Sequence, residues 1–260
     1  KKLEMKKISL LLFAFLLANS FTMQEDSFTK GEFIKMRIHY GFITAGYATL
    51  EVKEATRNNK KVHHIVGKGY TTGLTKAVFK VNDDYQTFID KETSKPYQFL
   101  RKIDEGGYKK HQEGFFDQTK KTVLVKDYKN NTEKTFSVTD EVQDILSAFY
   151  YLRNHDEVDQ LKVNESISID MFFDDETTKF KLKYLGKEDI STKFGKVSCM
   201  KFRPYVQAGR VFKEEESLTV WVSDDKNKIP ISLKASLAVG SLKADIYEYK
   251  GLKHTFKAKK

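Results

Sequence analysis

The hydrophobic pattern of this chain changes period once, from two residues to about 3.6 and back to two, across residues 140–154. Apolar side chains in that stretch recur at spacings of three and four, which places them on one face of a helix, and they are Val142, Ile145, Leu146, Phe149 and Leu152. The alternation on both sides is typical of strands with one buried face. We therefore predict an all-β, mainly antiparallel fold with one main α-helix.

The ends of this predicted helix carry residues that suit its free backbone groups. Asp140 can accept hydrogen bonds from the amides of the first turn, and Gln143 stands at the capping-box position. Arg153 lies where the carbonyl groups of the last turn are exposed. A helix with one apolar face needs an apolar partner, so we expect it to cover the concave side or the mouth of a curved sheet.

Alternation and turn residues together predict the strands. They fall at 33–40, 47–54, 61–70, 85–89, 97–103, 108–116, 122–127, 166–173, 178–185, 196–203, 216–222, 231–237 and 241–249. Residues 71–82 fit either a short helix or a loop. Strands this numerous must curl to hide an apolar face, so we expect one large curved sheet or two half-barrels.

The two β-rich halves share their turn chemistry. Pro96 follows Asp90 at the same spacing as Pro230 follows Asp224, and each proline opens the next predicted strand. Either a β unit has been duplicated, or the likeness reflects the regular turns of any antiparallel protein. The units of the first alternative are 31–118, a connection of 119–162 that contains the helix, 163–252, and a tail of 253–260.

The N-terminus has the parts of a secretory signal peptide. Lys6 and Lys7 precede an apolar run over 8–18, and small residues follow it. The run is shorter than the roughly 20 apolar residues that span a bilayer. Residues 1–20 are therefore predicted to be a signal peptide, and 21–30 a flexible lead-in. We expect no transmembrane span in the mature chain, and a location in the periplasm or at the periphery of the outer membrane.

Charge and motifs narrow the function. The formal net charge of +10 favours anionic surfaces such as lipid headgroups, and an exported chain without a recognised binding motif is not expected to bind nucleic acid. The sequence lacks a nucleophile elbow, a glycine-rich phosphate loop and a zinc-protease helix, so we predict no enzyme activity, no cofactor and no metal site.

Three interpretations of the function stay open. The first is the non-enzymatic binding of a lipid or other amphipathic molecule between sheet and helix. The second is a structural or interaction module that docks on anionic envelope surfaces or on an envelope protein. The third is a hydrolase, which requires carboxyl groups brought together in a cleft by folding, one of them with a raised pKa.

Residues in three stretches suit a ligand site. The candidate ligand-binding residues are Phe149, Tyr150, Arg153, Arg101, Tyr108 and Arg210. Tyrosine and arginine combine a large apolar body with a polar tip, as at the wall of a pocket. Gly106 and Gly107 lie inside a β region, where they permit a bulge or the close approach of a ligand to the backbone. The structural alternatives are a helix cap, a hairpin bend and a surface ion-pair ladder.

Several motifs taken together resemble one family. They are GFITAGYATLEV, VNDDYQTFIDKETSKPYQF, EGGY, QDILSAFYYLR, RVFK and LTVWVSDDKNKIPISLKASLAVGSLKADIYEYKG. The set is similar to exported proteins of Gram-negative bacteria catalogued as domain of unknown function 3108, over about residues 31–252. The resemblance implies an exported β protein that does not span the membrane, and it brings no established activity and no catalytic residues. The expected architecture is also similar to that of periplasmic lipoprotein and lipid carriers, which is a likeness of fold alone.

Overall fold

One antiparallel sheet dominates the structure, a computed structural model that describes residues 26–206, 218–237 and 239–259. Its strands are β1 (Phe33–Tyr40), β2 (Ile43–Arg57), β3 (Lys60–Thr71), β4 (Asn82–Asp90), β5 (Pro96–Glu105), β6 (Tyr108–Asp117), β7 (Thr122–Asp127), β8 (Thr132–Ser137), β9 (Ser166–Phe173), β10 (Glu176–Thr192), β11 (Gly195–Val206), β12 (Leu218–Ser223), β13 (Pro230–Ser236) and β14 (Ser241–Lys250). The helices in the same ranges are α1 (Gly73–Val78), α2 (Ile145–Arg153) and α3 (Asp156–Gln160).

The sheet consists of two meanders joined by their outer strands. The spatial order runs from β8 back to β1, then through β14 back to β9, so β1 pairs with β14 and the sheet ends at β8 and β9 without closing. The predicted antiparallel fold is confirmed, and of the two expected arrangements the structure adopts the single curved sheet. We call β1–β8 the first meander and β9–β14 the second meander. An internal duplication of residues 31–118 and 163–252 stays a prediction.

Helix α2 is shorter than the predicted 140–154, and its cap differs from the predicted one. Asp144 caps the helix, because its Oδ1 accepts hydrogen bonds from the amides of Leu146 (2.9 Å) and Ser147 (3.0 Å). The Asp144 amide donates in turn to Ser147 Oγ at 2.7 Å, which completes a capping box. Asp140, the cap predicted from sequence, instead forms an exposed ion pair with Lys121.

Pairing with the sheet edge explains why the helix starts late. Gln143, predicted as a capping partner, donates its backbone amide to the carbonyl of Asp170, and the amide of Phe172 donates to the carbonyl of Gln143. These bonds hold the residues before α2 against β9 in an extended form. Glu141 has a φ of 61°, which also interrupts a right-handed helix. Edge pairing therefore outweighs the local helical pattern.

The buried cap makes stability depend on pH. Burial raises the pKa of Asp144 to about 6, against hydrogen bonds from Ser147 and Thr87 that lower it. A carboxyl group that holds its proton more tightly when folded stabilises the fold at low pH, and that contribution is lost as the pH rises through about 4 to 6. Asp144→Asn keeps a good cap. We expect this variant to gain about 2–3 kcal/mol of unfolding free energy relative to the wild type between pH 4 and pH 7.

Urea unfolding of both proteins at pH 4 and pH 7 measures this difference. Asp140→Asn is the matched control, because its carboxylate is exposed and the change should leave the pH dependence nearly unaltered. An identical pH dependence for Asp144→Asn and the wild type would contradict the prediction.

Both faces of α2 are buried, and they face different halves of the sheet. Tyr150 packs with Phe28 against strands β2–β4, with ring centroids 4.7 Å apart. Ala148 and Leu152 point the other way, into a cluster formed by β9–β12. The helix therefore divides the interior of the curved sheet into two compartments.

Both ends of the described chain pack onto the sheet. Phe28 is buried, and Ser27 Oγ donates a hydrogen bond to the Arg153 carbonyl at 2.6 Å. Lys259 exchanges two backbone hydrogen bonds with Lys196. Residues at both described ends thus make contacts with the rest of the structure, and the flexibility and extent of the 21–30 lead-in stay a prediction. The predicted signal peptide lies outside the described residues.

Side chains bring the β9 end of the sheet close to the first meander. Phe172 of β9 packs against Phe99 and Phe116, with ring centroids 6.2 and 6.3 Å away. Arg101 and Lys110 both donate to Asp174 Oδ1, at 2.9 and 2.8 Å. The sheet thus surrounds α2 while its two end strands stay unpaired with each other.

Candidate ligand-binding site

An apolar pocket of about 380 Å³ lies between α2 and the second meander. The helix contributes Ala148, Phe149 and Leu152, and the opposing wall includes Leu182 of β10, Phe202 of β11 and Val220 of β12. Alternate residues of a strand point to the same face, which explains why single strands contribute pairs such as Phe180 with Leu182. The wall is therefore the inward face of three neighbouring strands.

Two cationic side chains lie at the pocket, and the first is fully used by the protein. Arg153 donates to both carboxylate oxygens of Glu32, at 2.6 and 2.8 Å, and to the carbonyl of Asn227 at 2.7 and 2.9 Å. Its side chain is 2% exposed and that of Glu32 is 1% exposed. This bidentate pair fixes the end of α2 against the N-terminal segment and the β12–β13 turn.

The second cationic side chain, Lys228, is paired with a partly exposed carboxylate. Lys228 Nζ lies 2.9 Å from Asp159 Oδ2, and the Asp159 side chain is more than half exposed. The Lys228 side chain is 12% exposed, and water solvates the Asp159 carboxylate, so Asp159 neutralises this lysine less completely than the buried Glu32 neutralises Arg153. Lys228 therefore has a charge that an anionic group at this end of the pocket can also reach.

The structure separates the candidate residues predicted from sequence. Phe149 and Arg153 line the pocket, whereas Tyr150 faces Phe28 on the other side of α2. Arg101, on β5, donates a hydrogen bond to Asp174, which follows β9. Sequence reasoning missed the sheet wall and Lys228, for which the alternation of β10–β12 was the available signal.

The remaining candidates lie away from the pocket. Tyr108 is exposed at the β5–β6 turn. Gly106 and Gly107 have φ values of 53° and 95° in that turn, and a Cβ on Gly106 would lie 2.3 Å from Cε2 of Phe79. The glycine at 106 therefore admits a side chain of the same protein. Arg210 lies outside the described residues.

A pair of carboxyl groups bears on the hydrolase interpretation. Burial, followed by a hydrogen bond with Asp83, raises the pKa of Glu105 to about 7. Asp83 Oδ1 accepts a hydrogen bond from the backbone amide of Asp104 at 3.0 Å. The pair lies at the ends of β4 and β5, whereas the pocket is lined by α2, α3 and strands β9–β12. It is thus separate from the apolar site.

Two further observations concern metals and membranes. Across the described ranges, no group of three or more His, Cys, Asp or Glu residues is arranged to hold a metal ion. Every helix in the same part of the chain is too short or too polar to cross a lipid bilayer.

One family model covers most of the sheet, α2 and the strands that line the pocket. Residues 35–247 match the family described as protein of unknown function (DUF3108). The chain belongs to this family. The DUF3108 domain thus contains all the strands that line the pocket, and the family predicted from sequence is confirmed. No curated protein matches the chain in sequence.

Two solved structures are similar to this DUF3108 chain, one of them closely enough to show a shared fold. A crystal structure of a beta-barrel-like protein of domain of unknown function DUF1849 from Brucella abortus is 10% identical, covers 85% of this chain and 98% of its own, and superposes with a TM-score of 0.57. A predicted lipoprotein from Parabacteroides distasonis is 11% identical, with coverages of 87% and 100% and a TM-score of 0.36. The first likeness supports the fold alone, and the second supports no conclusion.

Proposed function

We propose that this chain is a non-enzymatic binding protein of the cell envelope that holds the apolar chain of a lipid-like molecule between α2 and strands β10–β12. The observation that carries the proposal is the pocket of about 380 Å³ and its apolar walls. Ligand sites typically enclose about 300–1,000 Å³ and are lined by apolar side chains with a few polar groups. Protein interiors otherwise leave few voids larger than a water molecule.

The polar end of the pocket favours an amphipathic ligand with an acidic group. Arg153 is neutralised by Glu32 and makes that end rigid. Within the part of the chain that the structure describes, the ammonium group of Lys228 is paired with the exposed Asp159 alone, so an anionic headgroup can compete for it. A molecule with one apolar chain and one carboxylate or phosphate fits both features.

The two other interpretations lack such a feature in the pocket. A hydrolase needs its carboxyl pair beside the bound substrate, and Asp83 and Glu105 lie at a different part of the sheet. An interaction module needs no cavity. Binding of a free fatty acid in the pocket is expected for a lipid-binding protein, and it is not expected for the hydrolase or the interaction module.

Filling the pocket tests the proposal. Val220 lines it on β12, so Val220→Trp should place a large ring where the ligand chain would lie. We expect palmitate, titrated in competition with an environment-sensitive dye, to bind at least about tenfold more weakly to this variant than to the wild type.

Val163→Trp is the matched control, because Val163 is exposed before β9 and outside the pocket. Both variants should retain the wild-type circular dichroism spectrum. Equal palmitate affinity for Val220→Trp and the wild type, or no palmitate binding by any of them, would remove the support for a chain-binding pocket. Mass spectrometry of a solvent extract of the exported protein then identifies the natural ligand.

A further inference from the structure

The connections of an antiparallel meander alternate between the two edges of the sheet. Pairing of Tyr40 with Leu242 places the β1–β2 turn beside the β13–β14 turn. Pairing of Gly46 with Thr71 adds the β3–β4 connection to the same edge. The turns after β5, β7 and β9 also lie there. The turn after β9 is acidic, and its Asp174 is paired with Arg101 and Lys110. We give the name apolar edge to residues 40–44, 71–82, 106–108, 128–131, 237 and 239–243 of this edge.

Exposed apolar side chains are concentrated at this edge. In the described ranges, the large apolar residues exposed there are Tyr40, Phe42, Ile43, Leu74, Val78, Phe79, Tyr108, Tyr128, Leu237, Val239 and Leu242. The exposed large apolar residues elsewhere in those ranges are Ile145, Val163 and Tyr247. A soluble surface normally scatters such residues singly, and their collection marks a contact site.

The apolar side chains at this edge project from the tips of separate connections. Phe42 is fully exposed at the β1–β2 turn, where Gly41 takes a φ of 53°. Helix α1 has no buried residue, and Leu74 and Val78, which share one of its faces at a spacing of four, are 87% and 89% exposed. A helix this short is not stable by itself in water. Its apolar face therefore suits an environment outside this chain.

The opposite edge of the sheet is polar. Its turns contain the sequences NN at 58–59, KETSK at 91–95, QTKK at 118–121 and DDKNK at 224–228. Both edges consist of connections between the same strands, so strand geometry alone does not explain the difference. The difference in composition therefore favours a binding role for the apolar edge.

The charge of the apolar edge is one-sided at its centre. The three neighbouring segments 40–44, 71–82 and 237–243 contain Lys76, Lys80 and Lys243 and no aspartate or glutamate. Lys80 is paired with Asp104 near the end of β5. Exposed apolar tips flanked by lysines are complementary to a surface with an apolar interior and anionic headgroups.

We propose that the apolar edge docks on the surface of a lipid bilayer that contains anionic phospholipids. Phe42, Leu74 and Val78 enter the boundary between headgroups and acyl chains, while Lys76 and Lys243 lie at the level of the phosphates. This proposal goes beyond ligand binding in the pocket and does not depend on it.

A bilayer fits these observations better than a second copy of the chain. In a symmetric dimer the same patch of both copies would meet, so the lysines at the centre of the edge would face one another. Separate projecting tips also leave gaps that a protein partner would have to fill closely, whereas lipid headgroups move to fill them.

The position of the pocket gives such docking a use. Strand β11 ends and β12 begins at the apolar edge, as the pairing of Leu218 with Ala235 shows, and Pro204 and Leu218 line the pocket at that end. Lys228 lies at the opposite edge, in the β12–β13 turn. A bilayer on the apolar edge therefore lies at the end of the pocket farther from the cation.

Flotation with vesicles tests the proposal, using the exported form of the full chain. The wild type should float with vesicles of phosphatidylglycerol and phosphatidylethanolamine. The double variant Phe42→Ser, Leu74→Ser should bind them about tenfold more weakly or worse. Val163→Ser is the matched control, because Val163 is 59% exposed but lies at the other edge, and it should bind like the wild type.

A charge variant isolates the electrostatic part. Lys76→Glu should weaken binding to the phosphatidylglycerol vesicles by about tenfold and leave the weaker binding to phosphatidylcholine vesicles unchanged. Lys60→Glu, at the start of β3 and at the polar edge, makes the same change of charge and should have little effect. Loss of binding in both charge variants would show that net charge, and not the apolar edge, drives docking and would overturn the proposal.

Two other results would also overturn it. The first is a wild type that does not float, or a double variant that floats equally well. The second is a wild-type dimer in light scattering that the double variant converts to monomers, because the edge would then be covered by a second copy. The same double variant should bind palmitate like the wild type, because neither Phe42 nor Leu74 lines the pocket. This measurement therefore tests the two proposals separately.

Discussion

Replacing Arg153 with methionine is expected to lower the free energy of unfolding by about 3–5 kcal/mol. The change leaves the carboxylate of Glu32 buried without a counter-charge and the carbonyl of Asn227 without its donor. A buried charge without a partner is among the most destabilising results of a single substitution. Urea unfolding followed by circular dichroism at neutral pH measures the loss.

An exposed ion pair provides the control. Lys121→Met removes the partner of Asp140, and since both side chains are largely exposed the cost should stay below about 1 kcal/mol. Adding Glu32→Gln to Arg153→Met removes the unpaired charge and should recover part of the stability. A loss for Arg153→Met no larger than that for Lys121→Met would mean that the pair does not anchor α2.

Truncating Tyr150 to alanine should cost a similar amount, about 3–5 kcal/mol. The ring is fully buried and packs edge-on against Phe28, in a cluster with Val52, Ile65 and Ile89. Its removal leaves a cavity between α2 and the first meander that the surrounding strands cannot close. Urea unfolding again measures the effect, and Tyr150→Phe, which keeps the ring, should cost less than about 1.5 kcal/mol.

Phe149→Ala, at the adjacent residue of α2, tests whether the pocket side of the helix binds the ligand. Phe149 is half-buried and lines the pocket, so its truncation should destabilise the protein less than Tyr150→Ala and yet weaken palmitate binding more. The reverse order in both measurements would mean that the pocket side of α2 behaves as core and the Phe28 side as the ligand site.

Most strands could be predicted because their alternation is strong. The predicted ranges 33–40, 122–127 and 166–173 coincide with β1, β7 and β9. Strand β8 was missed, since TEKTFS offers Phe136 as its one large apolar residue and is held in place by pairing with β7. A strand at the end of a sheet can be held by the backbone hydrogen bonds of a hairpin with the strand before it, and such pairing leaves no hydrophobic alternation in the sequence.

The start of the helix shows a different limit. Val142 fits the helical period, but its burial comes from packing beside Phe172 and not from α2. An apolar residue satisfies the pattern whichever element buries it. Pairing of Gln143 with β9 decides the outcome, and the helical period carries no signal of that contact.

The candidate site was predictable only where it lies on the helix. Phe149 could be recognised from its position on α2, whereas the alternation of Phe180 and Leu182 predicts a buried face without indicating whether a helix or empty space lies opposite. Arg101 suited a ligand site equally well from sequence, but its partner Asp174 comes from a distant strand. Pairings of this kind depend on the curl of the sheet.

The pairing of β1 with β14 has a consequence for how the chain folds. Every other neighbouring pair in the sheet joins strands that are consecutive in sequence, so each meander can form through local contacts. The β1–β14 ladder, from Phe33↔Lys250 to Tyr40↔Leu242, brings together the two most distant strands of the chain. Closing so long a loop is entropically costly and slow. We therefore expect the closure of this ladder, between two halves that can form locally, to be the slow step of folding.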